Sequence, residues 1–403
     1  MSTFLWIDHS EKQRRQMMEA IDAFREKDTR DELGLAGIRD TFSDVLFPGT
    51  GAAQSRARYF FFVPWMYQAF EAKRHPGGEF ERRGRTQELT FIDTLAQSPD
   101  PTGTIGIRAR TTLQRLPSSI YWNGLRTLGI LQFQGSQWDF HRTVDRRRAE
   151  AASARRNDDN ELVGGGARAW HGGIPAAPLA FPNEAEFKLT TEEARYLRGR
   201  ILETQRPSLF AFMLDQPFRD EAVEFAWEHS VAQRATGVLE SQIHHARCFS
   251  EIFHGASILY NLLLADREPV RQEVLNDLEP LWANWVALIE QERSRLSTWD
   301  VQEFWRILRD VQYLPSEPTR RFVEAWAGMV VTGSADRLRS DPTVDRLITM
   351  RESSIKGALS RFRSPRAREK WRGDAGLGRM DYRWGTARVM LADIAAGLES
   401  AHA

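Results

Sequence analysis

Apolar residues recur every three to four positions along most of this chain, which is the spacing of one face of an α-helix. Near the amino terminus the pattern predicts helices over residues 11–27 and 31–45 and a third from about residue 50. Their apolar stripes are Met17, Met18, Ile21 and Phe24; Leu35, Ile38, Phe42 and Val45; and Ala53, Ala57, Phe60 and Phe61. Pro64 is expected to kink the third helix, because proline removes a helix hydrogen bond.

The stretch from residue 104 to 142 follows the order helix, helix, hairpin. The pattern predicts helices over 105–115 and 119–128, then strands over 130–133 and 138–140 joined by a turn at Gly135-Ser136. The second helix has two opposite stripes: Tyr121, Leu125 and Leu128 inside, and Ser119, Asn123 and Arg126 outside. This order is typical of a winged helix-turn-helix, a fold that binds DNA in some proteins and contacts only protein in others.

The second half of the chain also predicts helix after helix. Glycine and proline dominate residues 157–183, which we interpret as a linker, and a long amphipathic stretch over 218–265 has a possible break near Gly237. We therefore predict a mainly α protein of multi-helix, bundle-like domains with an embedded winged-helix-like module. The predicted domains are a helical domain over 1–99, the module with a basic helix over 100–156, the linker over 157–183 and a helical domain over 184–403.

Composition and the lengths of the apolar runs indicate the cellular compartment of the protein. A single cysteine, Cys248, excludes an intrachain disulfide and fits a reducing compartment. The densest apolar run, Tyr59 to Tyr67, is far shorter than the ~20 residues of a spanning helix, and the amino terminus lacks the apolar core of a signal peptide. We expect a cytoplasmic protein that does not enter a membrane.

Charge is balanced overall, with 55 basic and 55 acidic residues, but it is unevenly distributed. Residues 101–156 hold ten Arg against three acids, and residues 361–388 hold eight Arg and one Lys against three acids. Such basic segments favour contact with a nucleic-acid backbone, since arginine binds phosphate bidentately. The candidate nucleic-acid-binding residues are Arg108, Arg110, Arg115, Asn123, Arg126, Arg361, Arg363, Arg366, Arg368, Lys370, Arg372 and Arg383. A basic surface that contacts another protein subunit is the alternative.

One helix carries a pattern that could belong to a metal site. Glu240, His244, Glu251 and His254 fall on one side of the predicted 238–264 helix, with Cys248 among them. Glu251 and His254 have the Glu-x-x-His spacing of di-iron bundles, but such a site needs a second helix of this kind. A polar network between helices explains the same residues, so we expect no metal, no other cofactor and no catalytic residue.

The opening of the chain resembles a bacterial protein family of unassigned function. The residues that carry the resemblance lie between 6 and 65: Trp6-Ile7-Asp8, Asp28-Thr29-Arg30-Asp31-Glu32-Leu33-Gly34, Ile38-Arg39-Asp40-Thr41-Phe42, Leu46-Phe47-Pro48-Gly49-Thr50 and Arg56 to Trp65. The resemblance implies a place in anti-phage defence loci, beside helicases and phospholipase-D-type nucleases. It implies no catalytic residue.

These observations lead to one favoured hypothesis and two alternatives. The favoured function is a non-catalytic component of a multi-protein bacterial anti-phage system that contacts nucleic acid, helicase or nuclease partner subunits, or both. The first alternative is a metal-dependent, nuclease-like enzyme that uses the His and Glu face of the 238–264 helix. The second is a structural adaptor that contacts only protein.

Overall fold

The structure, a computed structural model, describes residues 31–73, 76–153, 155–156, 162–163, 168–268 and 272–400. These residues are mainly helical, as predicted. Among the described residues, the first seven helices are α1 (Ala36–Leu46), α2 (Tyr59–Ala72), α3 (Gly77–Ala96), α4 (Pro117–Thr127), α5 (Gln137–Ser153), α6 (Thr191–Thr204) and α7 (Leu209–Leu214). The helices that follow are α8 (Val238–Asp266), α9 (Gln272–Gln291), α10 (Arg293–Leu296), α11 (Val301–Asp310), α12 (Glu317–Thr332), α13 (Pro342–Lys356), α14 (Pro365–Glu369) and α15 (Trp384–Glu399). Strands β1 (Arg155–Arg156) and β2 (Leu162–Val163) pair antiparallel.

The described residues form two compact units. The first unit consists of His244–Met380 with the described residues up to Phe42, and the second consists of Ser43–Ile243 with the described residues from Asp381 onward. The unit boundaries differ from the domain boundaries expected at residues 99, 156 and 183. Part of the predicted linker is also built into the second unit, because Trp170 is buried and Leu131 forms an isolated antiparallel bridge with it.

Helix α8 supplies the centre of the first unit. Two buried tryptophans lie against it and hydrogen-bond its backbone: Trp285 Nε1 donates to the Glu251 carbonyl at 2.8 Å, and Trp326 Nε1 donates to the Ile252 carbonyl at 2.9 Å. The approach needs a glycine, since a Cβ at Gly255 would lie 2.2 Å from the Trp285 ring. Both tryptophans are buried, so they belong to the core of the first unit.

Helix α8 is also the one helix among the described residues that is long and apolar enough to cross a membrane by length and composition. However, 89% of its most apolar window is buried inside the protein.

Helix α2 is the core of the second unit. The side chains from Tyr59 to Tyr67 are buried without interruption, and Pro64 is accommodated inside the helix. The run is apolar on all sides because neighbouring elements surround it, which explains why no polar stripe is visible in this part of the sequence. Phe62, for example, packs against both Phe91 and Phe181, with ring centroids 5.0 Å and 5.9 Å away.

The predicted helix over 31–45 exists, but it begins at Ala36. The Asp31 carboxylate accepts hydrogen bonds from the backbone N–H groups of Leu35 (2.9 Å) and Ala36 (2.8 Å), which fixes the preceding residues outside the helix. The predicted helix over 11–27 lies outside the described residues.

The winged-helix prediction is not confirmed. The residues predicted as the second strand, Trp138 to Phe140, lie in helix α5, so the hairpin over 131–140 is wrong. The helix predicted over 105–115 is reduced to one 3₁₀ turn at Arg110–Thr112. Helix α5 begins where the sequence pattern predicts a turn, because Ser136 and Asp139 form a capping box. Ser136 Oγ accepts from the Asp139 N–H (3.1 Å), and Asp139 Oδ2 accepts from the Ser136 N–H (3.0 Å).

Candidate nucleic-acid interface

The exposed face of α4 is the part of the predicted module that the structure retains. Tyr121, Leu125 and Leu128 are fully buried, as predicted. Ser119, Asn123 and Arg126 are exposed on the opposite side. The Arg126 guanidinium makes no hydrogen bond or ion pair with another described residue, so it is available to a partner.

The arginines that precede α4 have different roles. Arg108 and Arg115 are exposed and have no ion-pair partner in the described part of the chain. Arg110, in contrast, contacts Asp93 of α3 at 2.6 Å, an intramolecular ion pair that holds the 3₁₀ turn against that helix. Of the three predicted phosphate contacts, Arg110 is therefore the one already engaged.

The part of the basic segment 361–388 that belongs to the first unit also contains both paired and unpaired basic side chains. Arg361 pairs with Glu32 at 2.8 Å and donates to the Tyr260 hydroxyl at 3.0 Å. Arg368 pairs with Glu268 at 2.6 Å and is largely covered. Both side chains stabilise the unit, and their positive charges are neutralised within it.

Four basic side chains of the same segment point to solvent: Arg363, Arg366, Lys370 and Arg372. None of the four side chains has a hydrogen-bond or ion-pair partner among the described residues. Arg366 and Lys370 are four positions apart across α14 and its C-cap, so they share one side of this short helix. We call these four residues the basic patch of the first unit.

Arg383 belongs to the second unit and has a structural role. It pairs with Asp44 at 2.6 Å and donates to the Thr50 carbonyl at 2.8 Å. Its backbone has a left-handed conformation, with φ of 65°, where it precedes α15. The prediction that Arg383 faces nucleic acid therefore has no geometric support.

The residues proposed for a metal site are engaged in other contacts. Glu251 is buried and bound by Arg247 (2.8 Å) and by Arg295, while His254 Nε2 lies 3.0 Å from the Leu377 carbonyl. Burial and the charge of Arg379 lower the pKa of His254 to about 4. Throughout the described ranges, no group of three His, Cys, Asp or Glu side chains is arranged to hold a metal ion.

The remaining members of that predicted face are not brought together with them. His244 lies beside Cys248, with His244 Nε2 3.6 Å from the cysteine sulfur, and Glu240 is exposed at the start of α8. Burial raises the pKa of the Cys248 thiol to about 12, so the thiol stays protonated and unreactive near neutral pH. The polar side of α8 instead holds the 371–380 segment, through Ser250 to the Met380 carbonyl (2.9 Å) and Asn261 to the Ala375 carbonyl (2.7 Å).

A family model matches residues 1–397, which is nearly the whole chain and far more than the resemblance over 6–65. The chain belongs to this family, which is described as a family of unknown function (DUF6361). No curated protein and no solved structure matches it. Family membership thus assigns no activity to this DUF6361 chain.

The second unit of the DUF6361 chain contains a buried polar chain that sequence reasoning missed. Glu88 accepts hydrogen bonds from the Ser118 N–H (2.8 Å) and hydroxyl (2.6 Å). Gln137 Nε2 then donates to Ser118 Oγ (2.7 Å) and to the Tyr67 hydroxyl (2.6 Å), which lies 3.0 Å from His141 Nε2. Burial raises the pKa of Glu88 to about 7, while the hydrogen bonds from Ser118 oppose the rise.

This carboxyl group should make the stability of the protein depend on pH. In the unfolded chain Glu88 has the ordinary glutamate pKa of 4.5, but in the folded protein it keeps its proton to about pH 7. The folded state therefore binds the proton more tightly, and the free energy of unfolding should fall between pH 4.5 and 7, by at most about 3 kcal/mol. Urea unfolding of wild type and Glu88→Gln at several pH values measures this contribution.

The comparison with Glu88→Gln is needed because histidines act in the opposite direction. Burial lowers the pKa of His141, His245 and His254 to about 4, so all three destabilise the fold as pH decreases below about 6.5. Their contribution cancels when the Glu88→Gln profile is subtracted from the wild-type profile. A difference that is flat from pH 4.5 to 7 would contradict the assignment of Glu88 as a neutral buried acid.

The second unit also has a cleft of about 690 Å³, lined in part by Arg56, Asp220, Trp384, Arg388 and Asp393. Its basic side chains are paired with its acids: Arg56 with Asp393 at 2.9 Å and Arg388 with Asp220 at 2.5 Å. Additional carboxylates at its wall leave the lining net acidic. A phosphate-bearing ligand is therefore disfavoured here, and the cleft does not belong to the candidate interface.

Proposed function

We propose that the protein is a non-catalytic component of a multi-protein bacterial anti-phage system and that it contacts a nucleic-acid backbone. The observation that carries the proposal is the basic patch of the first unit. Its four exposed side chains, Arg363, Arg366, Lys370 and Arg372, have no partner within the described residues, whereas the neighbouring Arg361 and Arg368 are bound to carboxylates.

The contrast within one segment favours an external anionic partner. Several solvent-exposed arginines elsewhere in the first unit pair with a nearby acid, as Arg306 does with Glu303 and Arg321 with Glu317. Those without an ion pair, such as Arg309, Arg337 and Arg346, are scattered over three other elements and are not clustered in one segment. Cations that lie close together in sequence and pair with no acid of the protein repel one another, and an external anion relieves this repulsion. Phosphate groups at regular spacing along a nucleic acid fit this role. Each phosphate that the protein neutralises releases its bound counterions, and this release contributes to affinity.

The biological setting rests on the resemblance rather than on the geometry. The resemblance places family members in loci that also encode helicases and phospholipase-D-type nucleases. We infer that these helicases and nucleases are the partners that catalyse the reactions, and that they act in the cytoplasm. The alternative enzyme hypothesis has less support, because Glu251 and His254 are already bound within the first unit. A DNA-reading wing is not part of the proposal, since the predicted hairpin is replaced by α5.

Charge reversal in the basic patch is expected to weaken nucleic-acid binding strongly. The variant Arg366→Glu, Lys370→Glu, Arg372→Glu removes three phosphate contacts and adds three repulsive charges. The slope of log K against log salt should become shallower by about 2–3, and affinity in low salt should fall at least about tenfold. Fluorescence anisotropy with labelled DNA and RNA at several salt concentrations measures both. Arg368 is kept in this variant because it pairs with Glu268.

A matched control separates a local contact from the effect of total charge. Arg309→Glu, Arg337→Glu, Arg346→Glu changes the net charge of the first unit equally, at exposed arginines on three other elements. We expect this control to retain most of the binding. Equal loss in both variants, or unchanged binding of DNA and RNA in the patch variant, would contradict the proposal. Loss of a protein partner alone would support the adaptor function instead.

A further inference from the structure

Trp138 differs from every other tryptophan in the described residues. It is 38% exposed, whereas the others are all buried. Burying an indole removes a large apolar area from water and so stabilises the fold. An exposed tryptophan does not make this contribution in full. Tryptophan is enriched among the residues that dominate binding energy at interfaces, so the exposed indole is a candidate binding residue.

The position of Trp138 is fixed by the start of α5. Ser136 and Asp139 form the capping box, and Trp138 lies between them in the first turn. The apolar side of the helix is occupied by Phe140 and Val144, both fully buried, so the turn directs Trp138 away from the core. The exposure therefore follows from the position of Trp138 in a capped first turn.

Arg142 lies one turn further along α5 and stacks on this indole. Its guanidinium carbon is 4.0 Å from the centroid of the Trp138 ring. The Arg142 side chain forms no hydrogen bond or ion pair with a described carboxylate, although its charge helps to lower the pKa of Asp139 three positions earlier. The two side chains together form a flat, positively charged surface. The nearest acids along the helix are engaged: Asp139 caps the helix, and Asp145 lies 3.2 Å from Arg148.

The same end of α5 lies against the first turn of α4. Gln137, next to Trp138, donates a hydrogen bond to Ser118 Oγ at 2.7 Å, and Ser118 lies in the first turn of α4. The neighbouring side chains Arg115 and Ser119 are exposed, and Asn123 and Arg126 continue the exposed stripe along α4. No Asp or Glu occurs between Asp100 and Asp139, so this part of the chain adds only positive charge.

We propose that Trp138 and Arg142 form a stacking platform for an unpaired base of a single-stranded nucleic acid, with Arg115 and Arg126 contacting the flanking phosphates. This inference rests on the proposed function only in taking nucleic acid as the class of partner, since it uses a surface of the second unit. A single strand is favoured over a duplex because an exposed indole needs a base with a free face. In a duplex both faces of internal bases are stacked.

The test compares one variant on two nucleic acids. Trp138→Ala should weaken binding of an oligothymidylate by about 5- to 150-fold, which is the loss measured when a stacking aromatic residue is removed. Binding of a blunt duplex of the same length should change less than about twofold. Trp138→Phe, which keeps an aromatic face, should recover most of the single-strand affinity. Leu179→Ala removes another exposed apolar side chain of the second unit and should change neither.

The outcomes distinguish this inference from the proposed function. If Trp138→Ala binds the oligothymidylate like wild type while the Arg366, Lys370, Arg372 variant loses binding, the platform is refuted and the proposed function stands. Equal losses on single strand and duplex also refute stacking on an unpaired base. If wild-type protein binds neither nucleic acid, both proposals fail, and loss of a protein partner in Trp138→Ala would assign the surface to that partner. Thermal unfolding of Trp138→Ala close to wild type excludes misfolding as the cause.

Discussion

Replacing Glu193 with alanine is expected to lower the free energy of unfolding by about 3–5 kcal/mol. Glu193 and Arg58 form an ion pair of 2.8 Å in which both side chains are almost completely buried. Without the carboxylate, the buried Arg58 charge would keep a hydrogen bond to the Glu186 carbonyl (2.9 Å) and its contacts with the rings of Phe62 and Trp65, but it would lose its counter-charge, and desolvation makes an unpaired cation costly. Urea unfolding followed by circular dichroism measures the loss.

Glu193 also fixes the start of α6, which adds to the expected effect. Its carboxylate accepts from the Thr190 N–H at 2.9 Å, while the Thr190 hydroxyl accepts from the Glu193 N–H, so the two residues form a capping box. The variant therefore removes a cap as well as an ion pair. Threonine followed three positions later by glutamate is a capping-box pattern in the sequence itself, whereas the ion pair with Arg58 depends on the fold.

Glu192→Ala provides a matched control one position earlier in the same helix. Glu192 is exposed in the first turn of α6, so its removal should change stability by no more than about 0.5 kcal/mol. The double variant Arg58→Met, Glu193→Leu removes both charges and should recover part of the loss, because no buried ion is left unpaired. A loss below about 1 kcal/mol in Glu193→Ala would show that the ion pair is not buried in solution.

The second large effect is expected at Leu125. Its side chain is fully buried on the side of α4 that faces α2, so Leu125→Ala should cost about 2–5 kcal/mol through lost transfer energy and the cavity left behind. The surroundings have little room to collapse, because adjacent Gly124 already lies against other groups. A Cβ at Gly124 would be 2.4 Å from the Gly49 carbonyl oxygen and 3.0 Å from a Phe60 ring atom.

The controls for Leu125 lie on the opposite face of the same helix. Asn123→Ala and Arg126→Ala should each change the free energy of unfolding by less than about 0.5 kcal/mol, since both side chains are exposed. Chemical denaturation of the three variants under identical conditions tests the assignment of the two faces. A Leu125→Ala loss no greater than that of the two surface variants would refute it.

The two faces of α4 could be predicted from sequence because helical periodicity is a local property. Spacing of three and four residues places Tyr121, Leu125 and Leu128 on one side whatever surrounds the helix. The same reasoning failed at residues 138–140, where a short run of mixed polarity fits a strand and a helix equally well. The signal that decides is Ser136 followed by Asp139 three positions later, a capping box with aspartate in place of the more frequent glutamate.

The sequence by itself determined the helical class of this protein, the inner and outer faces of its helices and the concentration of arginine in two segments. Only the tertiary structure decided which arginines are free. Arg361 pairs with Glu32, and Arg383 pairs with Asp44, each across more than 300 residues of chain. Arg366 and Arg372 in the same segment pair with no acid among the described residues. The physical reason is that an ion pair depends on distance in space, which composition does not contain. Whether a guanidinium is neutralised inside the protein or left to an external phosphate is set by the packing of elements far apart in sequence.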